Sequence, residues 1–275
     1  VKDLVHLGYL EQHVEIREAF MLIDSHAHLD MKDFEKDREK VIERAIQGGL
    51  THIITVGIDL HSSLIALDLT RKFESIYSSA GCHPHNADKC DLRTLDQLAQ
   101  LASESKVVAW GEIGLDFYRG YSSPHGQLEM FLRQLKLAAD LNLPVIIHDR
   151  EAHDDVLRIL KKMGKGRSKG VIHCFSGDTD LAMTLIELGY YISIPGTVTY
   201  KKASHVKEVA CNLPLERMLV ETDAPFLAPE PKRGKRNEPR FVTFTAREIA
   251  RLRKIDFEEV ALQTTQNALR LFRLP

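Results

Sequence analysis

The sequence contains no run approaching the roughly 18–20 consecutive apolar residues of a membrane span, so no spanning helix is expected. Its first residues, Val1-Lys2-Asp3-Leu4 onward, carry charges throughout and lack the apolar core of a signal peptide. The net charge of −2 argues against a surface coated with cations for gripping long duplex nucleic acid. Cysteine is scarce: Cys82, Cys90, Cys174 and Cys211 form neither a C-x-x-C pair nor a disulfide-dense pattern. They read as reduced thiols in a cytoplasmic protein. Cys174 follows His173 directly, so on a strand it faces the opposite side and packs like any small apolar residue.

What the chain does have is bulk. With 275 residues and 44% apolar content it can bury a large core, enough for one α/β barrel or two ordinary domains. Apolar, β-branched runs alternate with amphipathic stretches eight times. Strands are expected near 22–28, 52–57, 77–82, 107–112, 143–148, 170–175, 190–195 and 217–222. Helical patterns fall near 33–48, 61–73, 91–103, 125–141, 151–163, 178–188, 202–211 and 239–253. Within 125–141, Leu128, Phe131, Leu132, Leu135, Ala138 and Ala139 form one face. Asp33 and Asp178 are candidate helix starts, and Gly48, Gly164 and Gly189 candidate ends. Strands buried on both faces read as continuous apolar runs, and these do. Eight β-α units predict a single (β/α)8 TIM barrel over 21–275, with a doubly wound open sheet as the other possibility. Residues 1–20 are a separate extension: Leu7, Leu10 and Val14 recur at helical spacing, so a short helix is expected there, or else a natural start at Met21.

The predicted strands deliver chemistry at their C-terminal ends, where a barrel keeps its active site. His26 and His28 come from the first, Glu112 from the fourth, His148 from the fifth, His173 from the sixth and Asp223 from the eighth. His26 and His28 stand two apart, so on an extended strand both imidazoles point into the barrel. Any one of these histidines alone reads as a hydrogen-bonded core residue. All six together are harder to assign to packing, because unpaired buried polar groups are costly. Four imidazoles and two carboxylates, with no thiolate, suffice for two divalent metals about 3.5–4 Å apart. Zn, Mn, Co or Ni suit such a set, and Mg a weaker site. In barrel order Glu112 bridges, His26, His28 and Asp223 complete one site, and His148 and His173 the other.

The segments Ile23-Asp24-Ser25-His26-Ala27-His28-Leu29-Asp30, Gly81-Cys82-His83-Pro84-His85, Gly111-Glu112-Ile113-Gly114-Leu115-Asp116, Pro144-Val145-Ile146-Ile147-His148, His173-Cys174-Phe175-Ser176-Gly177, Glu221-Thr222-Asp223-Ala224-Pro225 and Arg236-Asn237-Glu238-Pro239 resemble the TatD family of metal-dependent deoxyribonucleases within the amidohydrolase-like barrels. The likeness runs from residue 22 to about 273. It implies a (β/α)8 fold, two divalent ions (Mg, Mn or Zn), the ligand set above and hydrolysis of DNA phosphodiester bonds.

The remaining roles are expectations about loops. Two divalent ions with Glu112, Asp223 and a hydroxide leave a centre of about +1, suited to a phosphodiester but also able to polarise an amide. His83 follows the third strand and is placed to contact phosphate or protonate the leaving oxygen, whereas His85 contacts substrate or holds the loop. Pro231-Lys232-Arg233-Gly234-Lys235-Arg236-Asn237-Glu238-Pro239 follows the eighth strand, which makes Arg236 and Asn237 candidate phosphate contacts against the alternative of a solvated loop. The equally basic stretch 161–169 joins a helix to the next strand and belongs to the opposite end. Asp223 is expected to orient and deprotonate water as well as bind metal. Glu221, one layer deeper, supports the site. Arg150 reaches a phosphate or pairs with Glu151, and Asp116 orients a ligand or caps its loop. Tyr118, Tyr200 and Phe226 fall where bases could stack, though rim packing is the ordinary role of such rings.

The expected protein is thus a cytoplasmic nuclease acting on single-stranded DNA or DNA ends, its oligomeric state left open with a monomer favoured. Its mechanism is in-line attack of a hydroxide with two metals holding the phosphate. A small-molecule amidohydrolase or lactonase is the second reading. Many such barrels bridge their metals with a carboxylated lysine where this chain has Glu112. An inactive scaffold binding nucleic acid or a partner is the third, and the intact ligand set argues against it.

Overall fold

The computed structural model describes residues 21–166 and 169–275. The helical extension expected over 1–20 lies outside the described residues. Eight strands, β1 (Leu22–Ala27), β2 (Leu50–Val56), β3 (Ile76–Ala80), β4 (Val107–Asp116), β5 (Val145–Arg150), β6 (Gly170–Ile172), β7 (Tyr191–Ile194) and β8 (Met218–Val220), form one sheet in chain order. Every neighbouring pair is parallel. The helices are α1 (Arg38–Gln47), α2 (Leu60–Lys72), α3 (Leu92–Leu101), α4 (Pro124–Asp140), α5 (His153–Met163), α6 (Thr179–Leu188), α7 (Ser204–Asn212), α8 (Val242–Arg253) and α9 (Phe257–Phe272). Sequential strand order is that of the (β/α)8 barrel; a doubly wound sheet would reverse direction partway. None of these helices is long and apolar enough to cross a membrane.

Side chains do much of the closing between β1 and β8. Ala27 bridges Ala224, and the amide of Asp223 donates to the His26 carbonyl at 2.9 Å. Ser25 Oγ donates to the Val220 carbonyl at 2.9 Å. The buried Asp24 carboxylate accepts from the Thr222 amide at 2.9 Å and from its hydroxyl at 2.6 Å. The seam therefore forms beside the ligands that flank it, His26, His28 and Asp223.

Period-two alternation sets where the polar layer sits. Ile146, Val171 and Leu219, each two residues before His148, His173 and Glu221, belong to one apolar cluster with Ile23, Tyr77, Val108 and Tyr191. Ala268, Leu271 and Phe272 of α9, followed by Leu274, join the same cluster and fill the end away from the ligands. This ninth helix was not expected from the sequence. Lys165 and Lys169 of the second basic stretch lie at that end too, bordering a depression shared with Leu271 and Arg273.

Two local expectations are corrected. The buried face of α4 is Gln127, Met130, Phe131, Gln134, Leu135 and Ala138, while Leu132 is exposed. Two glutamines replace leucines because they bind backbone: Gln127 brackets Asp116, and Gln134 brackets Cys82 while accepting from the Trp110 indole. Helix α1 begins at Arg38 rather than after Asp33. Its N-cap, Asp37, makes no side-chain cap bond because its carboxylate accepts from Arg236 and Arg44. Asp178 caps α6 as expected, accepting from the Leu181 amide at 2.9 Å, and Gly189 ends that helix in the left-handed region.

Candidate metal centre

The six predicted ligands converge on one cleft of about 550 Å³, which His28, Glu112, His148, His173 and Asp223 line directly. Their positions on the strands differ slightly from expectation. Glu112 lies in the middle of β4, which continues to Asp116 past a register shift between Trp110 and Ile113. His28, His173 and Asp223 fall just beyond their strands, and Asp223 has a left-handed backbone with φ of 57°.

Glu112 stands between two groups. Its Oε2 lies 3.5 Å from His26 Nε2 and 3.7 Å from His28 Nε2. Its Oε1 lies 2.8 Å from both His148 Nδ1 and His173 Nε2, and 3.3 Å from His83 Nε2. Asp223 Oδ1 belongs to the first group, 3.4 Å from His28 Nε2 and 3.8 Å from His26 Nε2.

The rear nitrogen of each ring decides what its front nitrogen can do. His28 Nδ1 faces the Val56 carbonyl at 3.1 Å and must donate, so in the neutral ring the lone pair is on Nε2. His148 Nε2 faces Asp116 Oδ2 at 3.1 Å, so in the neutral ring the lone pair is on Nδ1, and in the protonated ring Nδ1–H donates to Glu112. His173 Nδ1 lies 3.5 Å from Glu221 Oε1 without a hydrogen bond, and the nearby carboxylate favours a proton on Nδ1 and the lone pair on Nε2 in the neutral ring. His83 is the opposite case. Its Nδ1 accepts from the His85 amide at 3.1 Å, so in the neutral ring the proton sits on Nε2, pointing at the centre. Distance alone groups His83 with Glu112 and His148 as ligands; its tautomer makes it a hydrogen-bond donor instead.

These residues fit divalent cations. His26 Nε2 and His28 Nε2 are 3.2 Å apart, and His148 Nδ1 and His173 Nε2 3.3 Å. Nitrogens sharing an ion at about 2.0–2.1 Å stand about 2.8–3.4 Å apart, given right-angled to tetrahedral geometry. The electrostatics agree. Burial opposes a proton on His28, yet the Asp223 hydrogen bond and the Glu112 and Asp223 charges raise it to about 9. Burial likewise opposes ionisation of Glu112, but the neighbouring His173 and His83, with hydrogen bonds from His148 and His173, hold it well below the usual carboxylate range. Positive charge is favoured at the centre, and no Lys or Arg among the described residues pairs with Glu112 or Asp223 there.

A surrounding layer holds the rings. Asp116 both orients a ligand and caps its loop: Oδ2 meets His148 and, at 2.8 Å, His85 Nε2, while Oδ1 accepts from the Arg119 amide at 2.8 Å. Glu221 lies behind His173 and accepts from the Cys174 amide at 2.7 Å. Cys174 lines the cleft rather than packing on the opposite face, because β6 ends at Ile172 and Cys174 takes a left-handed φ of 46°. At Gly114, β4 and β5 approach so closely that a Cβ would overlap the His148 carbonyl oxygen.

The cations are placed otherwise than expected. Arg236 spends its guanidinium on Asp37, at 2.7 and 2.8 Å, and lies over the Phe34 ring. Asn237 is fully buried, donating to the Thr222 and Phe226 carbonyls and accepting from the Glu238 amide. Both fasten the segment after β8, and neither lines the cleft. The charges that do line it are Arg150, stacked on Tyr118, and Arg119, which no sequence signal marked. Arg150 makes no ion pair with Glu151 among the described residues. Tyr200 turns inward, its hydroxyl donating to the Ala228 carbonyl.

Comparison with known proteins agrees with this geometry. The chain is 42% identical over 254 residues to the uncharacterized metal-dependent hydrolase YabD of Bacillus subtilis, covering 92% of this chain and all of that one. It is 38% identical over 259 residues to a protein of Erwinia tasmaniensis named 3'-5' ssDNA/RNA exonuclease TatD, covering 92% and 100%. The crystal structure of YJJV, a TatD homolog from Escherichia coli K12, superposes with a TM-score of 0.87 at 35% identity, covering 92% of this chain and 98% of that one. The profile of the TatD related DNase family matches residues 23–273, so a metal-dependent hydrolase barrel with this ligand-rich mouth belongs to the TatD family.

Proposed function

We propose that the protein is a two-metal phosphodiesterase acting on nucleic acid, with unpaired strands or strand ends as substrate. The observation that carries this reading is the Glu112 carboxylate, whose two oxygens face two separate groups of imidazoles. His26, His28 and Asp223 would hold one divalent ion, His148 and His173 the other, with Glu112 shared. Ions held there would supply positive charge to a phosphoryl oxygen and acidify a water at neutral pH.

The chain's own groups do the rest. Asp223 orients the attacking water and takes its proton. His83, with Nε2–H directed at the centre, hydrogen-bonds the departing oxygen. Arg119 and Arg150 at the cleft wall receive phosphate oxygens. Asp116 and Glu221 keep the imidazoles in the required tautomer. The Erwinia relative named as a single-strand exonuclease supports this choice of substrate.

The test uses end-labelled single- and double-stranded DNA with chelator-stripped enzyme, Mg²⁺ or Mn²⁺ restored, and Glu112→Ala as control. Metal-dependent shortening of single strands, absent in the variant, is the expected result. Tightly bound metal with no cleavage of any nucleic acid would overturn the reading in favour of a small-molecule hydrolase.

A further inference from the structure

Exposed rings are unevenly distributed on this molecule. Among the described residues the exposed Phe, Tyr and Trp side chains are Tyr118 at 58%, Tyr121 at 65% and Phe226 at 48% relative exposure; Phe226 lines the metal cleft, and Tyr118 and Tyr121 contact Arg150 and His85, which line it. Elsewhere the exposed large apolar side chains are aliphatic, such as Ile46, Leu64, Leu92 and Leu262. Single exposed aliphatics are ordinary, whereas aromatics gathered round one opening mark a binding surface.

The rings form two flanks. Tyr118 and Tyr121 lie between β4 and α4. Tyr121 meets His85 edge-on, at 4.8 Å and 88°, and His85 is tied to Asp116. Arg150 lies 4.0 Å from the Tyr118 ring centre, and Arg119 5.4 Å from it. On the other flank Phe226 follows Asp223 in the chain, 6.2 Å from the His28 ring, and lines the cleft with Leu227. One flank thus joins rings to cations and the other is apolar, with the ligand cluster between them.

We propose that Tyr118 with Arg150, Tyr121, and Phe226 are base-stacking surfaces on either side of the reacting phosphate, which select unpaired nucleotides over paired ones. This rests on the phosphodiesterase reading above. A base inside a duplex has both faces covered by its neighbours, and only an unstacked base offers a face to a protein ring. His26, Glu112 and His173 are buried at the bottom of the opening, so the phosphate must descend between the flanks and its bases must separate. Tyr200, occupied by Ala228 and covered by Arg233, takes no part.

The test measures KM on a single-stranded oligonucleotide and on the same strand carrying abasic residues at its end. Tyr118→Ala and Phe226→Ala are each expected to raise KM for the normal strand by about 5- to 150-fold, the equivalent of one lost stack. Tyr118→Phe restores it. Removing ring and base together is expected to cost no more than removing either one, which a merely structural role for the ring would not produce. Equal KM increases on normal and abasic strands, or wild-type cleavage of duplex as fast as of single strands, overturn the stacking proposal while leaving the phosphodiesterase. Failure of the unmodified enzyme to cut any phosphodiester overturns both.

Discussion

Oδ2 of Asp116 lies 3.1 Å from Nε2 of His148, which turns the lone pair of the opposite ring nitrogen toward Glu112. Burial works against a charge on Asp116, but hydrogen bonds from His148, the Arg119 amide and His85 hold it below the usual carboxylate range. Asp116→Asn weakens that anchor without changing size. Affinity for Mn²⁺ or Zn²⁺ should fall about 10- to 100-fold by calorimetric titration. Undiminished affinity would show that the tautomer is set by something else.

Removing Glu112 should be more severe. With its two oxygens directed at separate groups, Glu112→Ala is expected to lower bound metal per chain, measured by elemental analysis, and to bring turnover to background. A variant retaining both full metal content and full activity would contradict the shared-ligand arrangement.

Asn237 makes a different prediction, about stability. Asn237→Ala leaves the Thr222 and Phe226 carbonyls and the Glu238 amide without their side-chain partner in a buried setting. About 2–4 kcal/mol should be lost in urea unfolding. A loss below about 0.5 kcal/mol would mean that water replaces the amide.

Arg236 tests the same segment through pH. Its hydrogen bond is the main cause that lowers Asp37 to about 2. A lowered carboxylate contributes stability that is complete above its unfolded value, about 3.9, and is lost as pH falls through the folded value. The pair is partly solvated, so Arg236→Ala should cost about 1 kcal/mol at neutral pH, and the deficit should shrink between about pH 4 and pH 2. Because Arg236 stands outside the cleft, KM should hold within about twofold, and a large rise in KM would return Arg236 to the substrate.

Some features were legible because they are periodic or local. His148 and His173 could be placed on the inner face from a two-residue step behind Ile146 and Val171. The basic stretch at 161–169 could be assigned to the far end from its place between a helix and a strand. Arg236 illustrates the reverse. Its position after the eighth strand was read correctly, but charge says nothing about which anion is nearer, and Asp37 lies within 2.8 Å. Gln127 and Gln134 were invisible to an apolar-face argument, since their burial depends on backbone groups of Asp116 in β4 and of Cys82 just after β3.

The sequence by itself determined the barrel and the convergence of six candidate ligands, because strand alternation and βα order suffice to bring those side chains to one end. Tertiary structure alone decided which nitrogen of His28 and His148 faces the centre, since that depends on the Val56 carbonyl and Asp116, 28 and 32 residues away in the chain. It alone separated His83, a donor in the neutral ring, from the candidate ligands, and brought Arg119 and Tyr121 beside the cleft. The physical reason is range: a side chain's direction follows from its own strand, but its protonation and its free surface follow from whatever other segments pack against it.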